Sequence, residues 1–237
     1  MPDSLTHASN RHASNAAAVW MQRRYFSTIS AITLCLTLWG FSDNLVWRVA
    51  QPSNTDPKFI FHGLFCLAWM LLFFVQSSLV RSGNVRLHRR LGTAGMLVAI
   101  GVTLSTLYVF VVVWKGWDAM PSYIQANRLL LPSFALFVLL GYVNRRKADH
   151  HRRYLLLATL YMLEPVLSRA FDPLDPLLKF FSDQVVDTSW WIFFVIVWNG
   201  LFLSLFAYDR IVAGKIHRVT AFGYAWFWAV WGVVLAV

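Results

Sequence analysis

Seven apolar runs, each bounded by polar or charged residues, divide the chain at 25 to about 41, 59–80, 91–114, 129–143, 154–171, 190–208 and 219–237. A helix needs about 20 apolar residues to cross the hydrocarbon core. None of the runs alternates apolar and polar positions in the way a half-buried strand would. The pattern therefore predicts an all-α fold, a polytopic bundle of about seven transmembrane helices. The first and fourth runs are short and are expected to extend to about residue 47 and from about residue 123. Residues 1–22 are rich in Ser, Ala, Asn and His without an apolar period and read as a flexible cytoplasmic tail. Residues 23–237 then form one membrane domain. Arg23-Arg24 before the first run has the look of a signal peptide's start, but Trp39-Gly40-Phe41-Ser42-Asp43 offers no small-x-small cleavage site. An uncleaved first span is expected.

Composition agrees. Of 237 residues, 58% are hydrophobic and 14% charged, with mean hydropathy +0.53, where a soluble domain carries about a quarter charged residues. The net charge of +10 would suggest nucleic acid in a soluble chain. Here the cations lie between apolar runs, and no basic-aromatic surface is left for a nucleic acid strand. The partner expected instead is the lipid bilayer, with a membrane-protein partner or a second copy of the chain left open.

The cations also orient the bundle. The tail and the second, fourth and sixth loops hold fifteen: Arg11, Arg23, Arg24, Arg81, Arg86, Arg89, Arg90, Arg145, Arg146, Lys147, Arg152, Arg153, Arg210, Lys215 and Arg218. The opposite loops hold five, Arg48, Lys58, Lys115, Arg128 and Lys179, and Arg169 sits inside the fifth run. Cationic loops stay cytoplasmic, so the N-terminus is expected inside and the C-terminus outside. A missed span would invert the bias downstream, and it alternates without a break. The loop 172–189 is both acidic and greasy, as suits a short interfacial helix.

Three histidines stand before spans three, five and seven, in His88-Arg89-Arg90, His151-Arg152-Arg153 and His217-Arg218, spaced by 63 and 66 residues. Successive inward loops deliver them, with His150, to one membrane face. Converging neutral imidazoles can ligate haem iron or a metal ion, and with neighbouring arginines they can hold an anionic or quinone head group. The competing reading makes them ordinary interfacial residues facing lipid phosphates. His62, Trp69 and Gln76 recur every seven residues on one face of span two, with Gln76 towards the histidines. A second polar set is His62, Glu164 and Arg169. Ionisable groups inside a span face the bundle and pair, and His62 and Glu164 lie within roughly one helical turn in depth. Pro165 is expected to release the Tyr161 carbonyl and kink span five. These three suit either a proton-coupled transport path or a structural ion pair. Gly95/Ala99 and Gly101/Ser105 are expected to let helices approach closely. Cys35 and Cys66, with no zinc-like spacing, read as inert thiols.

The residues from His62-Gly63 through Trp69, Gln76 and Leu79-Val80 to His88-Arg89-Arg90-Leu91-Gly92 resemble a pattern in uncharacterised bacterial multi-pass inner-membrane proteins. The stretch His151-Arg152-Arg153-Tyr154-Leu155-Leu156-Leu157-Ala158-Thr159, with Pro165 and Arg169, is similar to the same group. The resemblance covers spans two to five and implies a bacterial plasma membrane. A remoter likeness is to membrane b-type cytochromes, which hold haem between paired histidines well inside facing helices; only His62 sits so here. No phosphate loop, nucleophile elbow or zinc-protease motif is present. The expectation is a membrane protein binding haem, a metal or an anionic or quinone ligand through His88, His151, His217 and Gln76. A small proton-coupled transporter and a non-catalytic assembly subunit are the alternatives.

Overall fold

The computed structural model describes residues 3–47 and 52–236, with side chains described for 18–46, 54–174 and 176–236. Arg11 and Arg48, two of the counted cations, have side chains outside that set. Helices α1 (Asp3–Gly40), α2 (Pro52–Thr55), α3 (Pro57–Arg81), α4 (Val85–Val112) and α5 (Ser122–Val143) are followed by α6 (Ala148–Tyr161) and α7 (Glu164–Ser168). Then come α8 (Asp175–Leu178), α9 (Asp183–Ala213) and α10 (Arg218–Ala236). No strand occurs among the described residues. The N-terminal stretch expected to be a flexible tail is helical from Asp3 and continuous with the first apolar run.

Five helices, α3, α4, α5, α9 and α10, are long and apolar enough to cross a membrane, and the bent pair of α6 with the residues following it makes a sixth. The apolar part of α1 is diluted by Ser27, Thr28, Ser30, Thr33 and Thr37. Four of these hydroxyls bond back to their own helix, to the carbonyls of Arg24, Ser27, Ser30 and Thr33 at 2.8–3.0 Å. That is how a buried hydroxyl is tolerated inside a helix.

Helix contacts close a ring in the order α1, α3, α4, α5, α10, α9 and back to α1. At the centre stands α6, packed on α5, α9 and α10, with α7 against α1 and α9. Leu156 to Leu163 are all at most 4% exposed. The small-residue positions do bring helices together. A Cβ on Gly95 would meet Leu72 at 2.5 Å, one on Gly101 would meet Phe65 at 2.3 Å, and one on Gly223 would meet Leu157 at 2.4 Å.

The central helix breaks between Tyr161 and Glu164, bending by 43°. Proline has no N–H to return to the preceding turn, and Pro165 stands where the Tyr161 carbonyl needed one. Broken backbone survives in a membrane only when protein satisfies it. Tryptophans do so here: Trp198 Nε1 donates to the Leu160 carbonyl (2.8 Å), Trp190 Nε1 to Ser168 (3.2 Å) and Trp39 Nε1 to Ala170 (2.8 Å). Trp69 Nε1 donates to Thr159 Oγ1 (3.2 Å), and the Tyr161 hydroxyl donates to the Gly223 carbonyl (2.5 Å).

One end of the bundle collects the C-termini of α3, α5 and α9 and the N-termini of α4, α6 and α10; we call it the basic end. There Arg153 (2% exposed) pairs with Asp209 (0%). Arg153 Nε donates to Asp209 Oδ1 at 2.9 Å, Nη2 donates to the same oxygen, and Nη1 donates to the Asp149 carbonyl at 2.7 Å. Asp209 Oδ2 accepts from the His217 backbone N–H (2.9 Å) and from Thr220 Oγ1 (2.6 Å). The network ties α6, α9 and the start of α10 together. Removing one partner of a buried pair strands the other charge. Arg153→Ala should therefore lower unfolding stability in mixed detergent by about 3–5 kcal/mol, and Arg153→Met with Asp209→Asn by less than the single change. A loss under about 1 kcal/mol for Arg153→Ala would make the pair incidental.

Candidate functional site: paired histidines at the basic end

Each returning hairpin leaves a histidine at or just before the start of its next helix. Asn84 caps α4 by accepting from the Leu87 N–H at 3.2 Å, which sets the first turn that carries His88. His150 and His151 lie in the first turn of α6, and His217 just precedes α10. Gly214, with φ +69°, ends α9 in the left-handed conformation that glycine adopts without strain, turning the chain towards His217.

The four rings form two interhelical pairs. His88 and His151 stand edge to face with centroids 6.2 Å apart, and His150 and His217 with centroids 4.7 Å apart. All four are half-buried. In the first pair, Nδ1 of each ring is engaged. His151 Nδ1–H donates to the Gly141 carbonyl at 2.8 Å. The Gln76 carboxamide, oriented by its neighbours, donates to His88 Nδ1 and to the His88 carbonyl (3.1 Å), while its oxygen accepts from the Gly92 N–H at 2.8 Å. The two neutral rings are thus opposite tautomers: His88 carries its proton on Nε2, and His151 presents a lone pair there. Gln76 joins the histidines across α3 and α4.

In the second pair, His217 Nδ1 accepts from the Val219 N–H at 3.2 Å. Burial, then the Arg153 guanidinium, then His150 hold the His217 imidazole below its ordinary range, against the opposing pull of Asp209 and Asp149. The repeated His-Arg motif is not equivalent in space. Arg153 is buried in the ion pair, whereas Arg89, Arg90 and Arg218 are exposed. Among the described residues no three His, Cys, Asp or Glu side chains converge as a metal site. A metal ion, one of the alternative ligands, would find only two-histidine pairs among the described residues.

His62 stands apart from the other two; Glu164 and Arg169 form no ion pair among the described residues, although the Arg169 guanidinium acts electrostatically on Glu164. His62 Nδ1 bonds Ser105 Oγ of α4 at 3.1 Å, with Cys66 Sγ 3.6 Å from Nε2. Arg169 Nη1 donates to Asn44 Oδ1 at 3.1 Å, lies 3.8 Å from Asp43 Oδ2 and stacks on Phe41. Glu164, 1% exposed, accepts at Oε2 from Asn127 Nδ2 of α5. Among the described residues its Oε1 and Asn127 Oδ1 have no hydrogen-bond partner. The physical reason for His62's separation is the ring order: α3 packs against α1 and α4, while Glu164 lies on the central segment facing α5.

Asn127, Asp209 and Thr220 were not among the sequence candidates. Asp209 carried a signal, being an acid at the end of an apolar run in an otherwise cationic loop. Asn127 and Thr220 carried none beyond polarity. No family model, no curated protein and no solved structure matches the chain.

The His217 shift has a pH consequence. An unfolded histidine takes up its proton near pH 6.5, while the folded ring takes it up only at lower pH. The unfolded state therefore binds more protons in that window, and stability should fall as pH drops from about 6.5 towards the folded value, then level off. His217→Gln should flatten this part of the stability profile, as followed by chemical unfolding between pH 7.5 and 4.5, approximate limits set to bracket an ordinary imidazole. An unaltered profile would contradict the assignment.

Proposed function

We propose that the chain is a seven-span protein of the bacterial inner membrane, N-terminus in the cytoplasm and C-terminus outside, whose cytoplasmic end binds the polar head of a lipid-soluble, quinone-class ligand. The unbroken alternation of cationic and cation-poor loops supports the topology, with α1 as the seventh span. The His88/His151 pair carries the ligand reading. One ring offers an Nε2–H donor, and the other, 6.2 Å away on a different helix, offers an Nε2 acceptor. A donor beside an acceptor suits a head group that has a carbonyl in one redox state and a hydroxyl in the other. It suits haem or metal less, because bis-imidazole ligation needs a lone pair on both rings. His88 would have to exchange tautomers and Gln76 turn its amide. The flanking Arg89 and Arg90 favour anionic character in the head.

Extraction and quantitation of lipophilic cofactors from the detergent-purified protein, with its absorption spectrum and metal content, tests this. A bound quinone, or saturable binding of a short-chain benzoquinone that weakens about tenfold or more in His151→Ala, is the expected result. A Soret band or stoichiometric metal would refute the donor–acceptor assignment. Absence of every ligand would favour an assembly subunit.

A proton-coupled carrier is the second reading. It is favoured by Glu164, buried at the helix break with Oε1 unpartnered, since broken helices build carrier sites. It requires Glu164→Gln to abolish proton-driven flux in vesicles.

A further inference from the structure

A half-buried cation lies in the bundle wall at the end opposite the histidines. Arg128 is on the second turn of α5. Its guanidinium has neutral partners: Nη1 donates to the Phe110 carbonyl at 2.9 Å, Nε donates to Met120 Sδ at 3.1 Å, and Cζ lies over the Phe110 and Trp114 rings at 4.8 and 4.6 Å. Nη2 is buried and has no partner. None of the ion pairs among the described residues includes Arg128. A charge in a span normally finds its counter-charge within the protein. Among the described residues this one has none.

Arg128 also lines the head of a groove of about 380 Å³ between α5 and α10, continued by Pro132, Leu136, Trp226, Val230 and Val233. No acidic residue lines it. Leu136 and Val233 are 49% and 54% exposed, so the groove opens sideways, to where lipid would lie. An apolar slot open to the bilayer, headed by a guanidinium with no acid paired to it among the described residues, matches an acyl chain below a phosphate. Arginine binds phosphate through paired N–H donors, and basic pockets between membrane helices hold anionic head groups.

We propose that this groove is a binding site for one anionic phospholipid of the leaflet at this end, its phosphate on Arg128 and one acyl chain along α5 and α10. Binding therefore includes a reorientation of the guanidinium, in which the buried Nη2 turns out of the groove wall to meet the phosphate. The site is independent of the histidine pairs and of the direction in which the chain crosses the membrane.

The full chain, delipidated in detergent and titrated with phosphatidylglycerol, phosphatidylcholine or palmitate, is read by native mass spectrometry. One phosphatidylglycerol should be retained per chain, about tenfold tighter than phosphatidylcholine. Both Arg128→Gln and Ala229→Phe, whose ring would fill the exposed floor of the groove, should lose it. Arg145→Gln, which removes an exposed cation at the basic end, should keep it. Equal retention by Arg128→Gln, or by Ala229→Phe if Arg128→Gln does not fold, overturns the site. Equal affinity for phosphatidylcholine, or a preference for palmitate, overturns the anionic phospholipid as its occupant.

Discussion

Backbone hydrogen bonding without water governs the centre of this molecule. Hydrocarbon offers no partner to a free carbonyl, so a helix broken in mid-bundle is tenable only if side chains complete its ladder. The α6–α7 segment is such a helix, bent by 43° and packed against α1, α5, α9 and α10. Indoles from α1 and α9 reach its Leu160, Ser168 and Ala170 carbonyls, and hydroxyls and tight glycine contacts lock it to α3 and α10. Several tryptophans that would pass for interfacial belt residues are therefore structural donors. The bend in turn sets Glu164 against Asn127 and directs Arg169 towards the π-helical turn at Asp43–Trp47.

The two ends of the bundle then differ in how they handle charge. At the basic end the arginine that enters the interior is fully compensated. Arg153 has Asp209, and Asp209 has four donors in all. That satisfied network holds the first turns of α6 and α10 side by side, and this is what sets His150 against His217. At the opposite end Arg128 is held by a carbonyl, a thioether and two rings, with no ion-pair partner among the described residues. The first arrangement builds a rigid frame for neutral imidazoles. The second leaves a charge to be met from the bilayer.

Much of this was legible in the order of residues alone. Membrane residence, helical class and the delivery of His88, His151 and His217 to one end follow from run length and hairpin parity, both local properties of the chain. The break at Pro165 follows from the missing N–H of proline. The seven-residue recurrence of His62, Trp69 and Gln76 correctly put one face of α3 inward, towards Ser105, Thr159 and His88 in turn. Depth, however, is a one-dimensional coordinate. Equal depth made His62 a candidate neighbour of Glu164, yet they lie on helices that meet different partners.

What the sequence determined by itself is therefore the solvent of the chain, the number of apolar runs and the end at which each polar residue lies, because these depend only on composition along the chain and on hairpin length. The tertiary structure alone decided which helix occupies the centre, which arginine finds an acid and which histidines face each other. Those outcomes depend on lateral packing of side chains from runs up to 179 residues apart, as in the Tyr25–Ser204 hydrogen bond, and no periodicity within a single run encodes them.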